Sequence, residues 1–298
     1  MSQTLIHIGY PKAGSTFLQK WFFTHPNIGF KHNALAGFDN IKEMCEFTCE
    51  NEPSYLKYFA VSSEMLSVWF KLDGVGINPM LFDIKQYQRK ICLLLKQILP
   101  GSKLLVVTRG YEETLKSFYS EYIKYGGHYY FDDYLKVFGP MFEEYLDYNY
   151  IIRLYEENFQ KQNMLVIPFE TLRDDPLEFI QQIEKFLDLE HFKWDYHKAA
   201  NISLTNDMLY SYRMLSDIVL KICKIFPGNV GNKLFRLYSA GLLFKCFDFI
   251  TFCILLVTKR SKTDSVTPTS MLKAFSGKGT MLRDYKTYQP YLDKYLLC

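Results

Sequence analysis

Lys12 stands three residues earlier than a nucleoside triphosphatase would place it. The segment Leu5-Ile6-His7-Ile8-Gly9-Tyr10-Pro11-Lys12-Ala13-Gly14-Ser15-Thr16 reads as a buried strand, a glycine-bounded turn and a helix start. Gly9 and Gly14 have the spacing of the pattern G-x-x-x-x-G-K-[ST], and Thr16 fits its last position. Ser15 holds the place where that pattern demands lysine. A strand, loop and helix of this kind still offer backbone N–H groups at a helix N-terminus to phosphate-like oxygens. The lysine, now inside the loop, reaches a different atom of the bound group. On this segment alone, an ordinary βα turn rich in small residues is the competing reading.

A second element narrows the choice. Lys103-Leu104-Leu105-Val106-Val107-Thr108 is a short apolar run after the turn Pro100-Gly101, and it reads as a buried strand. It ends in Arg109 and is followed by a helical stretch from Glu112 to about Lys124, whose acidic start suits the positive end of a helix. Ser117 lies eight residues after Arg109. A guanidinium offers a planar donor fork matched to phosphate, and a serine on the second helical turn donates from the other side. Singly, Arg109 is a strand-end surface residue and Ser117 a solvated helix residue; their joint spacing after the first loop argues against both. No carboxylate closes this strand, so nothing there positions a metal.

Together these segments resemble the sulfotransferases that use 3′-phosphoadenosine 5′-phosphosulfate (PAPS), in particular bacterial carbohydrate-type members. The family's 5′-phosphosulfate loop runs roughly G-x-P-K-x-G-[ST]-[ST], and Gly9 to Thr16 fit every fixed position. Its 3′-phosphate motif likewise sets an arginine at a strand end and a serine eight residues on. The resemblance implies that Lys12 partners the leaving oxygen. Ser15 and Thr16, with backbone N–H groups from Ala13, Gly14 and on to Phe17, hold the 5′-phosphate and sulfuryl oxygens. Arg109 and Ser117 take the 3′-phosphate, and no metal takes part. The family often has proline after the arginine and a second arginine before the serine. Here Tyr111 and Thr114 stand near those places, so the phosphate is expected to meet fewer charges. Phe275-Ser276-Gly277-Lys278-Gly279 resembles the family's lysine-glycine loop over the 3′-phosphate, adding Lys278 and Gly279. Gly277 replaces that loop's extra arginine, and an exposed linker reads equally well.

Sulfuryl transfer also needs a base for the acceptor proton. Glu64 closes the run Phe59-Ala60-Val61-Ser62-Ser63-Glu64 at a strand end, where α/β sites form. It resembles the S-S-E segment of many bacterial sulfotransferases, in which the glutamate serves as base. A helix start, with Ser62 or Ser63 capping and Glu64 favoured by the helix dipole, accounts for the same residues. His32 is the runner-up base, because cytosolic family members use histidine. His7 is read as facing the core. Tyr125-Gly126-Gly127-His128-Tyr129-Tyr130-Phe131 is a glycine-hinged aromatic loop where the family often places acceptor contacts, making His128 and Tyr129 acceptor candidates beside His32. Packing as a plain lid explains that loop equally well.

Strand-like runs at Leu5–Ile8, Tyr58–Ser62, Leu104–Thr108 and Met164–Pro168 alternate with helical stretches such as Ile84–Leu99. The expected fold is therefore α/β, a central parallel sheet flanked by helices, P-loop-like, with a mostly helical C-terminal part. One domain over residues 1–298 is expected, with an α/β donor-binding core over 1–190 and a helical extension over 191–298. Phe169-Glu170-Thr171-Leu172-Arg173-Asp174-Asp175-Pro176 also resembles a family turn, read here as architecture, with Asp174 or Asp175 capping a helix. A net charge of +3 without a basic tract argues against nucleic acid. Seven irregularly spaced cysteines, Cys45 and Cys49 among them, read as free thiols. The first strand begins almost at once, leaving no room for a signal peptide or anchor, so a cytoplasmic setting is expected. Residues 242–257 are very apolar but interrupted by Lys245 and Asp248, and Lys259, Arg260 and Lys262 follow. They form either a buried helix or an interfacial one touching the inner membrane face through 242–262. The expected reaction moves a sulfuryl group from PAPS to a hydroxyl of a carbohydrate or glycolipid. A small-metabolite acceptor, a P-loop kinase or NTPase, and a non-catalytic nucleotide-binding module are the alternatives; the kinase reading would need lysine at position 15.

Overall fold

The computed structural model describes residues 3–30, 56–68, 83–195, 204–226, 229–239 and 269–297. Five strands make one sheet: β1 (Gln3–Gly9), β2 (Ile28–Gly29), β3 (Tyr58–Ser63), β4 (Lys103–Thr108) and β5 (Met164–Pro168). Their order is β2-β3-β1-β4-β5, and every neighbouring pair is parallel. The four longer strands are buried along nearly their whole length. Helices cover both faces of such a sheet, which is why these strands read as continuous apolar runs rather than alternating ones. The four expected strands are all present. β2 is an addition: two residues at the sheet edge are too short to carry a periodicity.

Helices α1 (Ser15–Thr24), α2 (Ile84–Ile98), α3 (Tyr111–Lys124), α4 (Phe131–Tyr145), α5 (Tyr148–Phe159), α6 (Phe169–Asp174) and α7 (Pro176–Leu187) surround the sheet. α2 starts where the Asp83 carboxylate accepts the Gln86 N–H, and it buries Ile84, Ile91, Cys92 and Leu95 along one face. At α7 the cap is Asp175, which accepts the Glu178 N–H, with Pro176 in the first turn. A hairpin of α8 (Asn206–Ile225) and α9 (Asn229–Ser239) follows, then the short α10 (Thr269–Lys273) and 3-10 turns at Thr280–Asp284 and Lys286–Lys294.

Many of the abundant aromatic residues are core. Tyr111, fully buried, stacks on Tyr148 at 5.2 Å and on Phe275 at 4.6 Å between ring centroids. The C-terminal turns belong to the same packed body, since Thr108 Oγ1 hydrogen-bonds Tyr288 Oη at 2.7 Å. Cys92 and Cys223 are buried free thiols, and burial pushes the Cys92 thiol up to about 12. Cys45, Cys49, His32 and the whole of 242–262 lie outside the described residues. Among the described residues no helix is long and apolar enough to cross a membrane.

Candidate active site

Strand register gathers the site. Ile8 pairs with Ser63, so the residue after β3, Glu64, falls beside Gly9 at the end of β1. Gly9 pairs with Val107, so Arg109 emerges just beyond it on the other side. The chain leaves the central β1 first toward β3 and later toward β4, and such a switch point opens a crevice at the strand ends. The closeness is tight. A Cβ on Gly9 would lie 3.0 Å from Ser15 Oγ and 3.3 Å from the Glu64 nitrogen, so a larger residue would force the loop and the β3 end apart.

The loop between β1 and α1 turns through two left-handed residues, Lys12 at φ 69° and Gly14 at φ 84°. Gly14 is required there, because a Cβ would meet the Leu172 side chain at 2.6 Å. Lys12 has no such exemption from strain. The Ala13 N–H donates to the Tyr10 carbonyl and the Phe17 N–H to that of Gly14. Of the donors expected from Ala13 to Phe17, those two are engaged in the loop and the first helical turn. Gly14, Ser15 and Thr16 open α1, whose N-terminus has no side-chain cap among the described residues and no acidic residue in its first turn, so these first N–H groups have no intrahelical partner. Ser15 is buried and Thr16 exposed.

Lys12 Nζ forms an ion pair with Glu121 Oε2 of α3. Burial lowers the Lys12 pKa; the Glu64 carboxylate opposes that effect, and Lys124 and Arg109 add to it. Glu64 shifts the other way. Burial lifts its carboxyl above the ordinary range, against the Lys12 cation and a hydrogen bond from Ser15. The Glu64 surface reaches solvent all the same. A side chain lining a recess has both properties: it touches water while the protein around it lowers the local dielectric. Ser63 caps the 3-10 turn Glu64–Leu66, accepting the Met65 N–H at 3.1 Å, as the structural explanation of this segment expects. Ser67 Oγ donates to the Gly9 carbonyl at 2.7 Å, and Tyr87 Oη to that of Met65 at 2.5 Å. These bonds fix the Glu64 turn against the loop.

Arg109 braces the same loop from the β4 side. Its Nη1 donates to the Lys12 carbonyl at 2.9 Å, and its guanidinium lies 4.8 Å from the Phe169 ring centroid. Among the described residues Arg109 Nε is buried without a hydrogen-bond partner, with Glu113 Oε2 at 3.8 Å. Glu113, Ser117 and Glu121 follow at four-residue intervals on one stripe of α3. One end of that stripe meets Arg109 and the other meets Lys12, which puts the buried Ser117 between them.

Sequence reasoning missed four charged residues here. Glu121 is one. Glu113 is another, with Lys294 Nζ at 2.6 Å and Arg173 Nη1 at 2.9 Å. Burial would raise the Glu113 carboxyl, but the Lys294 hydrogen bond and the Lys294, Arg173 and Arg109 charges hold it below the ordinary range. Lys294 and Arg173 thus set two cations against Glu113, beside Arg109. Lys278 does not join this cluster among the described contacts: its Nζ donates to the Glu143 carbonyl at 2.7 Å. Gly279 packs under Tyr111 and Tyr295. His128 and Tyr129 close the α3 end, where both backbone N–H groups donate to Tyr122 Oη. No described contact joins either to Lys12 or Glu64. His7 is a core residue, with Nδ1 on Ser62 Oγ at 2.8 Å and a pKa lowered by burial to about 3. Among the described residues no three His, Cys, Asp or Glu side chains gather as metal ligands.

Comparison with known proteins bears on the family and the fold. A family model described as the sulfotransferase domain matches residues 2–203. A sulfotransferase from Alicyclobacillus acidocaldarius superimposes with a TM-score of 0.51 at 14% identity, covering 78% of this chain and 94% of its own, which is a likeness of fold. Mouse sulfotransferase SULT7A1, solved in complex with PAP, gives a TM-score of 0.45 at 13% identity over 95% of this chain and 89% of its own. No curated protein matches the chain by sequence.

Proposed function

The chain belongs to the sulfotransferase family, and from that premise we propose that it transfers the sulfuryl group of PAPS to a hydroxyl of a carbohydrate or glycolipid. The observation that carries this reading is the meeting of Lys12 and Glu64 across the β1–β3 register, at a helix start with free N–H groups. The residues present fit an anionic nucleotide. Arg109 Nε is a buried donor without a partner, and Lys294 and Arg173 stand around Glu113 beside it. When bound, PAPS supplies the sulfuryl group and a phosphate oxygen as leaving group.

Each side chain then has a task. The N–H groups of Gly14, Ser15 and Thr16 and the Ser15 and Thr16 hydroxyls hold the 5′ end. Arg109 and Ser117 hold the 3′-phosphate, with Lys294 and Arg173 as auxiliary cations. Lys12 leaves Glu121 to face the leaving oxygen, and removal of one such preorganised donor costs about 3 kcal/mol in the transition state. Glu64 accepts the proton of the attacking hydroxyl; its raised pKa makes it a stronger base than an ordinary carboxylate. His128 and Tyr129 remain acceptor-side candidates on the loop that ends α3. Lys278 and Gly279 would need to leave their present partners to serve the donor.

Radiolabelled PAPS incubated with the purified chain and with separated envelope glycans, glycolipids and small metabolites tests the proposal. Label is expected in the glycan or glycolipid fraction. Label confined to small metabolites would overturn the acceptor class, and no transfer to any hydroxyl would overturn the reaction.

A further inference from the structure

Two consecutive helices carry the same short pattern, twelve residues apart. In α8 it is Ile218-x-x-Lys221-Ile222-x-Lys224-Ile225; in α9 it is Val230-x-x-Lys233-Leu234-x-Arg236-Leu237. Spacing of i, i+4 and i+7 sets the three apolar residues of each helix on one stripe, with the basic residues along its flank. Such a stripe ordinarily faces a core. Here all six apolar residues are exposed, as is Phe226 at the end of α8. Ile225 is 79% exposed, Val230 51% and Ile222 48%. The buried positions are Cys223 and Phe235, again twelve apart, which form a small core of the hairpin with Leu215 and Tyr238.

The hairpin is antiparallel, with Gly231 against the Cys223 carbonyl and Ser216 Oγ bonded to Tyr238 Oη at 2.9 Å. Its open end is tied to the body: the Leu204 N–H donates to Ser120 Oγ, and Gly126 lies under Phe235 and Tyr238. Ile222, Ile225, Phe226 and Val230 gather at the closed end, among the exposed Lys221, Lys224 and Lys233. From Ile218 to Ser239 the chain has four basic residues and no acidic one. The carboxylate just before this stretch, Asp217, is paired with Lys221 at 2.8 Å.

An apolar tip with a lysine collar complements a bilayer rich in anionic lipid. The acyl boundary takes the apolar side chains, while long basic side chains extend their ammonium groups to the headgroups. A second copy fits worse, because it would set like charge against like. We propose that the closed end of the α8–α9 hairpin docks this protein on an anionic membrane surface. Docking stands on the hairpin alone; its consequence, presentation of a membrane-borne acceptor, rests on the function proposed above.

Co-sedimentation of the full chain with vesicles of phosphatidylcholine, alone or mixed with phosphatidylglycerol, tests the docking. Binding is expected on the mixed vesicles only, weakening as salt rises. The double variant Ile225→Asp/Val230→Asp and the triple variant Lys221→Glu/Lys224→Glu/Lys233→Glu should each lower partitioning about tenfold or more. Both should keep the wild-type affinity for adenosine 3′,5′-bisphosphate, since all five positions are exposed. Absence of binding, equal binding to the two vesicle types, or variants that bind as the wild type would overturn the proposal. So would a wild-type dimer in solution that Ile225→Asp/Val230→Asp converts to monomer. Vesicle binding by a wild type that ignores the nucleotide would uphold docking and sink the donor site instead.

Discussion

Lys12 combines a left-handed backbone, a burial-lowered pKa and an ion pair to a carboxylate from another element. A lysine held at positive φ costs about 1–3 kcal/mol, and a site residue is where such strain is tolerated. Lys12→Gly removes the strain together with the charge. Thermal melting should show the variant at least as stable as the wild type, while turnover falls far more than nucleotide affinity. A destabilised variant with normal turnover would make Lys12 structural. Glu64 offers the complementary test. Its pKa is raised in the fold, so its contribution to stability is present at low pH and lost as pH rises through the folded value. Glu64→Gln should therefore fold at least as well at neutral pH, yet lose roughly 10²–10⁴ in turnover. Because the base works deprotonated and Lys12 works protonated, the wild-type rate should rise through a pKa above the carboxylate range. It should fall through one below the usual lysine range. Near-normal turnover in Glu64→Gln would exclude Glu64 and return the role to His32.

At the scale of elements, the strand ends do the gathering and the helix after β4 completes it. Glu170, fully buried at the start of α6, accepts the Gly110 N–H at 2.9 Å and the Tyr295 hydroxyl at 2.6 Å. The turn that aims Arg109 is thus held by a residue 60 positions on and by the C-terminal end of the chain. Tyr295→Phe would leave the Glu170 Oε2 bond unmade at a cost of about 1–3 kcal/mol, which a denaturant midpoint would register. An unchanged midpoint would contradict this bracing. The same distances explain what could be read beforehand. That Lys12, Glu64 and Arg109 lie near one another was legible because each follows an apolar run closely, and strand order alone brings such ends together. Glu121, Lys294 and Arg173 were not. Their approach to Lys12 and Glu113 depends on which way α3 rolls and where the last turns pack, and 181 residues separate Glu113 from Lys294. Lys278 lies on the Glu143 carbonyl for a related reason: a short loop resemblance cannot say which carbonyl its amine will find.

For the whole molecule, sheet, covering helices and C-terminal turns share one packed core, whereas the hairpin keeps a small cluster of its own. We propose that residues 1–298 act as one domain, with the hairpin as its outward limb. Thermal melting should then show one main transition that shifts upward with bound nucleotide; two transitions, only one of them responsive, would divide the chain. The apolar pattern of α8 and α9 was present in the sequence, but only the fold shows it turned outward. The central claim is that this body is built around a 3′-phosphorylated adenine nucleotide, and calorimetry tests it most directly. Adenosine 3′,5′-bisphosphate should bind about 2–4 kcal/mol tighter than AMP, the difference expected from charge-assisted bonds at Arg109 and Ser117, and Arg109→Ala should erase most of that margin. Equal affinity of the wild type for the two nucleotides would contradict the account.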